Sequence, residues 1–325
     1  MLVLSRREVE ELLDVGALID ALAGAMADLS AGRAVVPNRV GAFVAERDGM
    51  LAAMPGYTPS TASLAAKLVT LFPHNDGVPT HQALVAVFDP ADGRPLAVLD
   101  GTAITAIRTG AGSALATRLL AREDASTLAI LGTGVQARAH AAAIPLVRAL
   151  TEVRVAGRDR AKADALAAEL AAQLDLPVRS AESWAAACAG ADVVCATTHS
   201  LEPVVRRDWL SAGTHVTSVG FDPQGREVDD ATVADALVVV ESRAAALSAP
   251  PAGSNDLVQP IEQGLLDPDR VVEVGELVEG SRPGRTSADQ LTLYKSVGVA
   301  VQDGVAATLV LRAAREHGAG REVEL

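Results

Sequence analysis

Apolar positions recur at helical spacing through residues 4 to 31, "LSRREVEELLDVGALIDALAGAMADLS". The pattern predicts two amphipathic helices, with Ser5 as N-cap of the first and Gly16 as the break before the second. Beyond them the period falls to two. "RVGAFV", "MLAAMPGY", "LAAKLVTLF", "HQALVAVFD" and "PLAVLDG" predict strands. "NDG" at 75–77 and "ADGRP" at 91–95 are turn sequences, and the second joins its flanking strands as a hairpin. This region is expected to be α+β, with a largely antiparallel or mixed sheet.

From Thr127 the rhythm changes. "TLAILG", "EVRVAG", "VVCATT", "THVTSVG" and "ALVVVES" are short β-rich runs. Helical stretches at 136–149 and 160–174 separate the first of them. That alternation predicts βαβ units and a parallel sheet. "KSVGVAVQDGVAATLVLRAAREHG" predicts a long closing helix that returns to the first domain.

Composition narrows the functions open to such a chain. The 325 residues are 49% hydrophobic and only 2% aromatic, so Ala, Val and Leu must fill the core. The net charge of −13 disfavours nucleic acid and anionic membranes, which need clustered cations. It also requires that any anionic ligand be held by locally placed Lys or Arg. Cys188 and Cys195 lie in Ala/Val-rich surroundings and read as small core residues. His74, His81, His140 and His199 show no metal-ligand spacing, and neither a Ser-His-Asp nor a P-loop pattern is present, so no metal is expected. Without a leader or a spanning apolar stretch, the expectation is a soluble cytoplasmic protein.

"LAILGTGVQARAH", residues 128–140, places a strand, a G-x-G-x-x-A turn (Gly132, Gly134, Ala137) and a helix in immediate succession. Missing side chains let the backbone approach a pyrophosphate at the helix N-terminus. At the end of the next strand, "VRVAGRDRAKA" puts Gly157 where NAD enzymes place an acid for the ribose hydroxyls. Arg158 follows, with Arg160 and Lys162 behind it, and a guanidinium suits a 2′-phosphate. Asp159 argues the other way. NADP(H) is favoured and NAD(H) remains open. Asp222 in "SVGFDPQG" follows a strand at the carboxyl edge of the sheet, where such folds bind ligands; alone it reads as an Asp-Pro turn former. Lys67 lies inside the apolar run "SLAAKLVTLF", where an unpaired ammonium is costly.

With these residues in place, the chain resembles the ornithine cyclodeaminase/mu-crystallin family. The landmarks are "AAKLVTLFPHN", "PTHQALVAVFDPADGRPLAVLDGTAITAIRTGAGSA", "GTGVQARAH", "SVGFDPQGREVD" and "LTLYKSVGVAVQDGVAA". The resemblance implies a doubly wound Rossmann domain, 123–297, inserted into an α+β substrate-binding and dimerisation domain, 1–122 with 298–325, in a homodimer. It assigns the substrate carboxylate to Arg39 and Lys67, with Arg108 near it and near the cofactor phosphates, and places Val297 at the substrate. It makes Asp222 the acid or base serving the substrate nitrogen. It matches Thr80, Val135, Gln136, Thr197, Val219, Gly220 and Ser296 to cofactor contacts, beside Gly132 and Gly134.

Two departures separate the chain from the cyclodeaminases of that family: Gly157 replaces an acid, and so does Lys295 before "SVG". A lysine there would repel the side-chain ammonium of ornithine, unless it serves as a second cation or a structural partner. The expected activity is therefore NAD(P)H-dependent reduction of a carboxylate-bearing imine, such as pyrroline-2-carboxylate or piperideine-2-carboxylate, to an L-amino acid, or the reverse oxidation. A cyclodeaminase converting L-ornithine to L-proline and ammonia, and a non-catalytic crystallin-like NADP-binding protein, are the alternatives.

Overall fold

Ser5 ends the first strand, β1 (Leu2–Leu4), by capping α1 (Arg6–Leu12). Its hydroxyl accepts from the Glu8 N–H, and the Glu8 carboxylate accepts from the Ser5 N–H at 2.8 Å. The helical region breaks at Leu13–Asp14, not at the expected Gly16. The Asp14 carboxylate accepts from the Ala17 N–H at 2.6 Å and starts α2 (Val15–Ser30). A side-chain acceptor that satisfies an orphan donor sets a helix start more firmly than glycine does. Gly16 therefore lies inside the first turn.

The computed structural model describes residues 1–324. Two compact units are present, Met1–Arg108 with the segment from Gly298 onward, and Thr109–Val297. They part inside a helix, upstream of the boundary expected at 122/123.

In the first unit β2 (Val40–Val44), β3 (Gly49–Thr58), β4 (Ser63–Leu71), β5 (His81–Phe88) and β6 (Pro95–Asp100) form an antiparallel meander. β1 pairs parallel to β6, so the sheet is mixed. The β5–β6 hairpin turns where expected: the Asp89 carboxylate accepts from the Ala91 N–H, and Gly93 takes a φ of 80°. After β6 the helix α3 (Gly101–Leu120) carries the chain across the unit boundary.

The second unit runs β7 (Thr127–Leu131), α4 (Val135–Ala143), β8 (Glu152–Ala156), α5 (Arg160–Gln173), β9 (Val178–Ser180), α6 (Trp184–Cys188) and β10 (Val193–Ala196). It continues through β11 (His215–Ser218), α7 (Asp230–Asp235), β12 (Leu237–Val240), α8 (Arg243–Ala246) and α9 (Asn255–Glu262). β13 (Val272–Glu273), α10 (Val274–Glu279) and β14 (Thr292–Lys295) complete it. Every pairing is parallel, in the order β13-β12-β14-β11-β10-β7-β8-β9. Leu128, Ala129, Ile130 and Leu131 are all fully buried, which explains the unbroken apolar run. The order reverses between β7 and β10, the switch point at which doubly wound sheets open a binding crevice.

The closing helix, α11 (Ala300–His317), is shorter than its sequence pattern. Residues Thr292–Lys295 are the strand β14, and Gly298, with a φ of 73°, turns the chain before the helix. α11 packs against β3, β4 and α2, and β15 (Arg321–Glu322) pairs with β1. Among the described residues no helix is long and apolar enough to cross a membrane.

Candidate functional site

On β4 the side chains of Ser63, Ala65 and Lys67 turn to the buried face that meets α11. Gly304 permits that approach, since a Cβ there would stand 2.7 Å from the Ser63 hydroxyl oxygen. The residue before it, Asp303, is thereby brought onto Lys67. The Lys67 ammonium meets Asp303 Oδ2 at 2.8 Å, and Arg108 Nε donates to Oδ1 at 3.1 Å. Arg108 Nη1 also donates to Gln302 Oε1 at 2.9 Å, and Arg39 Nη2 to the Gly298 carbonyl at 3.2 Å. Lys67, Arg108 and Asp303 are all buried.

Burial is the chief cause that pulls the Lys67 pKa down, to about 8. Asp303 works against that fall, while Arg108 and Arg39 add to it. Burial pushes Asp303 up, but the Lys67 and Arg108 charges outweigh it and hold the carboxyl below its ordinary value. His81, at the start of β5, is lowered by burial and then by Lys67 and Arg108. The first unit thus sets two cations, Lys67 and Arg108, on one carboxylate, a surplus that favours an anionic ligand. Thr80 lies in the same unit, exposed, and its carbonyl accepts from the Phe72 N–H.

In the second unit the glycine turn joins β7 to α4. Gly132 has a φ of 125°, and a Cβ there would fall 2.5 Å from the Thr197 hydroxyl oxygen. That hydroxyl donates to the Leu131 carbonyl at 2.9 Å, tying the ends of β7 and β10 at the switch point. Gly134 caps α4 without a side-chain hydrogen bond, and a Cβ on it would meet nothing within 4 Å. The leading N–H groups of α4 therefore stay open, the donor set that a pyrophosphate requires. Val135 is half exposed beside them, and the Gln136 carbonyl accepts from His140 Nδ1 at 2.7 Å. At the end of β8, Gly157 leaves room for the Thr133 methyl, which a Cβ would approach to 2.7 Å. Arg158 is exposed and makes no hydrogen bond or ion pair among the described residues. Arg160 is committed to Asp164 and Ser180. These residues fit the pyrophosphate and ribose of a dinucleotide.

Past β11, Asp222 Oδ1 accepts from the N–H groups of Gln224 and Gly225, the turn geometry expected of an Asp-Pro sequence. The segment ahead of it is held from beneath. Glu227, 2% exposed, accepts from Thr198 N (2.6 Å), Thr198 Oγ1 (2.8 Å), Ser218 Oγ (2.8 Å) and Gly220 N (2.7 Å). The Val219 N–H donates to Ala196 O, and Gly220 has no room for a Cβ, which would meet Thr198 O at 2.1 Å. Ser296 Oγ donates to Glu241 Oε1 and the Val297 N–H to Oε2, so both sit at the end of β14.

Lys295 is a structural partner. Its ammonium meets Asp256 at 2.8 Å and donates to Ser218 Oγ at 2.9 Å and the Gly220 carbonyl at 2.8 Å. Its charge is offset by the buried Asp256 carboxylate, so repulsion of a substrate ammonium is no argument against ornithine. Asp256 in turn accepts from the Glu227 and Val228 N–H groups. Sequence reasoning missed Asp303, Gln302, Glu227, Asp256 and Glu241. For Asp303 the same clue that marked Lys67 was present, a charge inside the apolar run "VAVQDGVAA".

His140 is buried against Ser113, its pKa pulled down to about 4 by burial. Burial pushes the Cys188 thiol up to about 12 and raises Cys195 as well. Neither thiol is a nucleophile in that state. His74 pairs with Asp48 at the surface, and His199 Nδ1 lies 2.6 Å from the Phe221 carbonyl. Among the described residues no group of His, Cys, Asp or Glu is placed to hold a metal ion.

Known proteins resemble this chain over nearly all of its length. The model of the ornithine cyclodeaminase/mu-crystallin family matches residues 1–318. The ketimine reductase mu-crystallin of Mus musculus is 38% identical over 314 residues, covering 94% of this chain and 95% of its own. The Δ1-pyrroline-2-carboxylate reductase of Thermococcus litoralis, solved with NADH and L-proline, superposes with a TM-score of 0.94 at 36% identity, covering 99% of this chain and 100% of that one. An archaeal alanine dehydrogenase dimer with bound NAD gives 0.92 at 28% identity, covering 100% and 99%.

Proposed function

Because the chain belongs to the ornithine cyclodeaminase/mu-crystallin family, we propose that it is an NAD(P)H-dependent reductase of imines that carry a carboxylate on the imine carbon, cyclic ketimines foremost. The observation that carries this reading is the buried group of Lys67, Arg108 and Asp303, with its excess of positive charge. Relatives named for ketimine and pyrroline-2-carboxylate reduction add the substrate class.

When bound, a reduced nicotinamide would supply the hydride for the imine carbon. Lys67 and Arg39 hold the substrate carboxylate, assisted by Arg108. The open N–H groups of α4 behind Gly134 hold the pyrophosphate. Asp222, at the carboxyl edge of the parallel sheet, holds the proton that the substrate nitrogen takes up. Arg158, exposed and uncommitted, favours a 2′-phosphate and hence NADPH over NADH.

The pleated face of the first sheet turned away from α11 carries Leu51, Leu68 and Leu84, each more than a third exposed. An apolar face of that kind supports a homodimer built through it, in keeping with the dimeric archaeal relative.

The test is oxidation of NADPH or NADH with pyrroline-2-carboxylate, piperideine-2-carboxylate, keto acids plus ammonia, and L-ornithine. Stoichiometric consumption of reduced cofactor with a cyclic imine is expected. Conversion of ornithine without net cofactor change would assign a cyclodeaminase, and binding without turnover would assign a nucleotide-binding protein.

A further inference from the structure

The chain has three lysines, Lys67, Lys162 and Lys295. Lys162 is exposed, and the other two are buried, each 2.8 Å from a buried aspartate. The two pairs differ in how fully the ammonium is used. Lys295 spends its three N–H groups on Asp256, Ser218 and Gly220. Lys67, only 4% exposed, has Asp303 as its one partner among the described residues. The rest of the ammonium's hydrogen-bonding capacity meets no other residue among those described, an arrangement that burial of the side chain penalises unless water or a ligand completes it. The Asp303 carboxylate is shared as well. One oxygen faces Lys67 on β4, and the other faces Arg108 on α3. Arg108 is further confined by Gln302 and by Gly298, where a Cβ would come within 2.8 Å of its Nη2.

We propose that Asp303 is the positioning residue of the carboxylate site, its two oxygens fixing the Lys67 ammonium and the Arg108 guanidinium at one spacing so that a substrate carboxylate meets a preassembled pair of cations. This rests on the reading of Lys67 and Arg108 as carboxylate-binding residues. The charge count supports it. Lys67 and Arg108 outnumber Asp303, so the aspartate orders the two cations without neutralising the pair. Asp303 also favours the protonated form of Lys67 against burial. The charged groups that face Lys67 are Asp303 from α11, Arg108 from α3, Arg39 from the segment before β2, and His81 from β5. His81 titrates below its ordinary value, away from the range in which Lys67 changes charge.

With so few lysines, ¹³C-lysine NMR resolves each side chain in the intact protein, and Lys162→Arg assigns the exposed one. In the wild type the Lys67 signal should titrate near pH 8. In Asp303→Asn the midpoint should fall, because a supporting charge is gone, while the Lys162 signal stays in place. The KM for the imine carboxylate at pH 7.5 should rise about tenfold to a hundredfold, the usual worth of a charged hydrogen bond. Its further rise with pH should begin at lower pH than in the wild type, and acidification should restore binding. The kcat at saturation should change by less than about threefold, since uniform binding and not the transition state is affected. Asp303→Glu, which keeps the charge, should keep the midpoint near that of the wild type while still raising KM, and it covers failure of the Asn variant to fold. An unmoved Lys67 midpoint in Asp303→Asn, or an unchanged KM, overturns the proposal. Because the NMR arm needs no turnover, a shifted midpoint in a protein that reduces no imine would refute the proposed activity and leave the Asp303–Lys67 coupling standing.

Discussion

Glu227→Gln changes one atom of a buried side chain and puts four hydrogen bonds at stake. The carboxylate accepts at Oε1 from the N–H and hydroxyl of Thr198, and at Oε2 from the Gly220 N–H and the Ser218 hydroxyl. A glutamine must turn its NH2 toward one of these pairs. Ser218 and Thr198 can rotate a hydroxyl to accept, but a backbone N–H cannot reverse. Either orientation therefore leaves one buried N–H facing another donor, at about 1–3 kcal/mol, and removes charge assistance from the bonds that survive, each worth about 1.5–3 kcal/mol when charged. A loss of about 3–5 kcal/mol is expected, a large share of the 5–15 kcal/mol that typically holds a native state. Urea denaturation should show it as a lower midpoint with an unchanged slope.

Activity should fall as well, because the Gly220 N–H anchors the segment that leads to Asp222. A displacement of about 1 Å can cost on the order of a hundredfold. If Glu227 acts through Asp222, adding Glu227→Gln to Asp222→Asn should slow turnover no further than Asp222→Asn does alone. A Glu227→Gln protein within about 1 kcal/mol of wild type and with unaltered kcat/KM would refute the reasoning.

Arg158→Ala should raise the KM for NADPH far more than that for NADH; equal effects on both, or a wild type that prefers NADH, would remove the guanidinium from the 2′-phosphate. Asp222→Asn should lower kcat by about 10²- to 10⁴-fold, the usual contribution of a general acid, and erase one ionisation from the pH–rate profile without altering NADPH affinity. Full activity across the whole pH range would leave Asp222 as a turn residue only. Leu68→Lys, a charge placed on the open apolar face of the first sheet, should shift the protein toward monomer in analytical ultracentrifugation, and an unchanged mass would place any dimer contact elsewhere.

Much of this architecture was legible along the chain, because local sterics and periodicity write it there. The apolar runs of β7, β10 and β12 announce a parallel sheet, since strands covered on both faces have no polar side to show. The turn at Gly132–Gly134 is legible because a φ of 125°, with Thr197 against the α-carbon, is open only to a residue lacking a Cβ. Ser5 was found as a cap for the same local reason. Gly16 misled because a break can be set by the acceptor that starts the next helix as well as by a weak residue, and Asp14 was that acceptor. The start of α11 misled because a strand and a helix joined through Gly298 share one apolar composition.

The site divides along the same line. By itself the sequence determined that Lys67 is anomalous, that a glycine turn joins a strand to a helix at Gly132–Gly134, and that no acid stands at Gly157. Only the tertiary structure decided what each charge faces. Arg108 finds Asp303 at a separation of 195 residues, and Lys295 finds Ser218 at 77. Those meetings depend on which helix lies against which strand, as Gly304 against Ser63 lays Asp303 onto Lys67. Two buried lysines thereby meet different sets of partners. One meets an aspartate, a hydroxyl and a carbonyl, and the other an aspartate alone among the described residues, because a buried charge is defined by its partners in space and not by its neighbours in sequence.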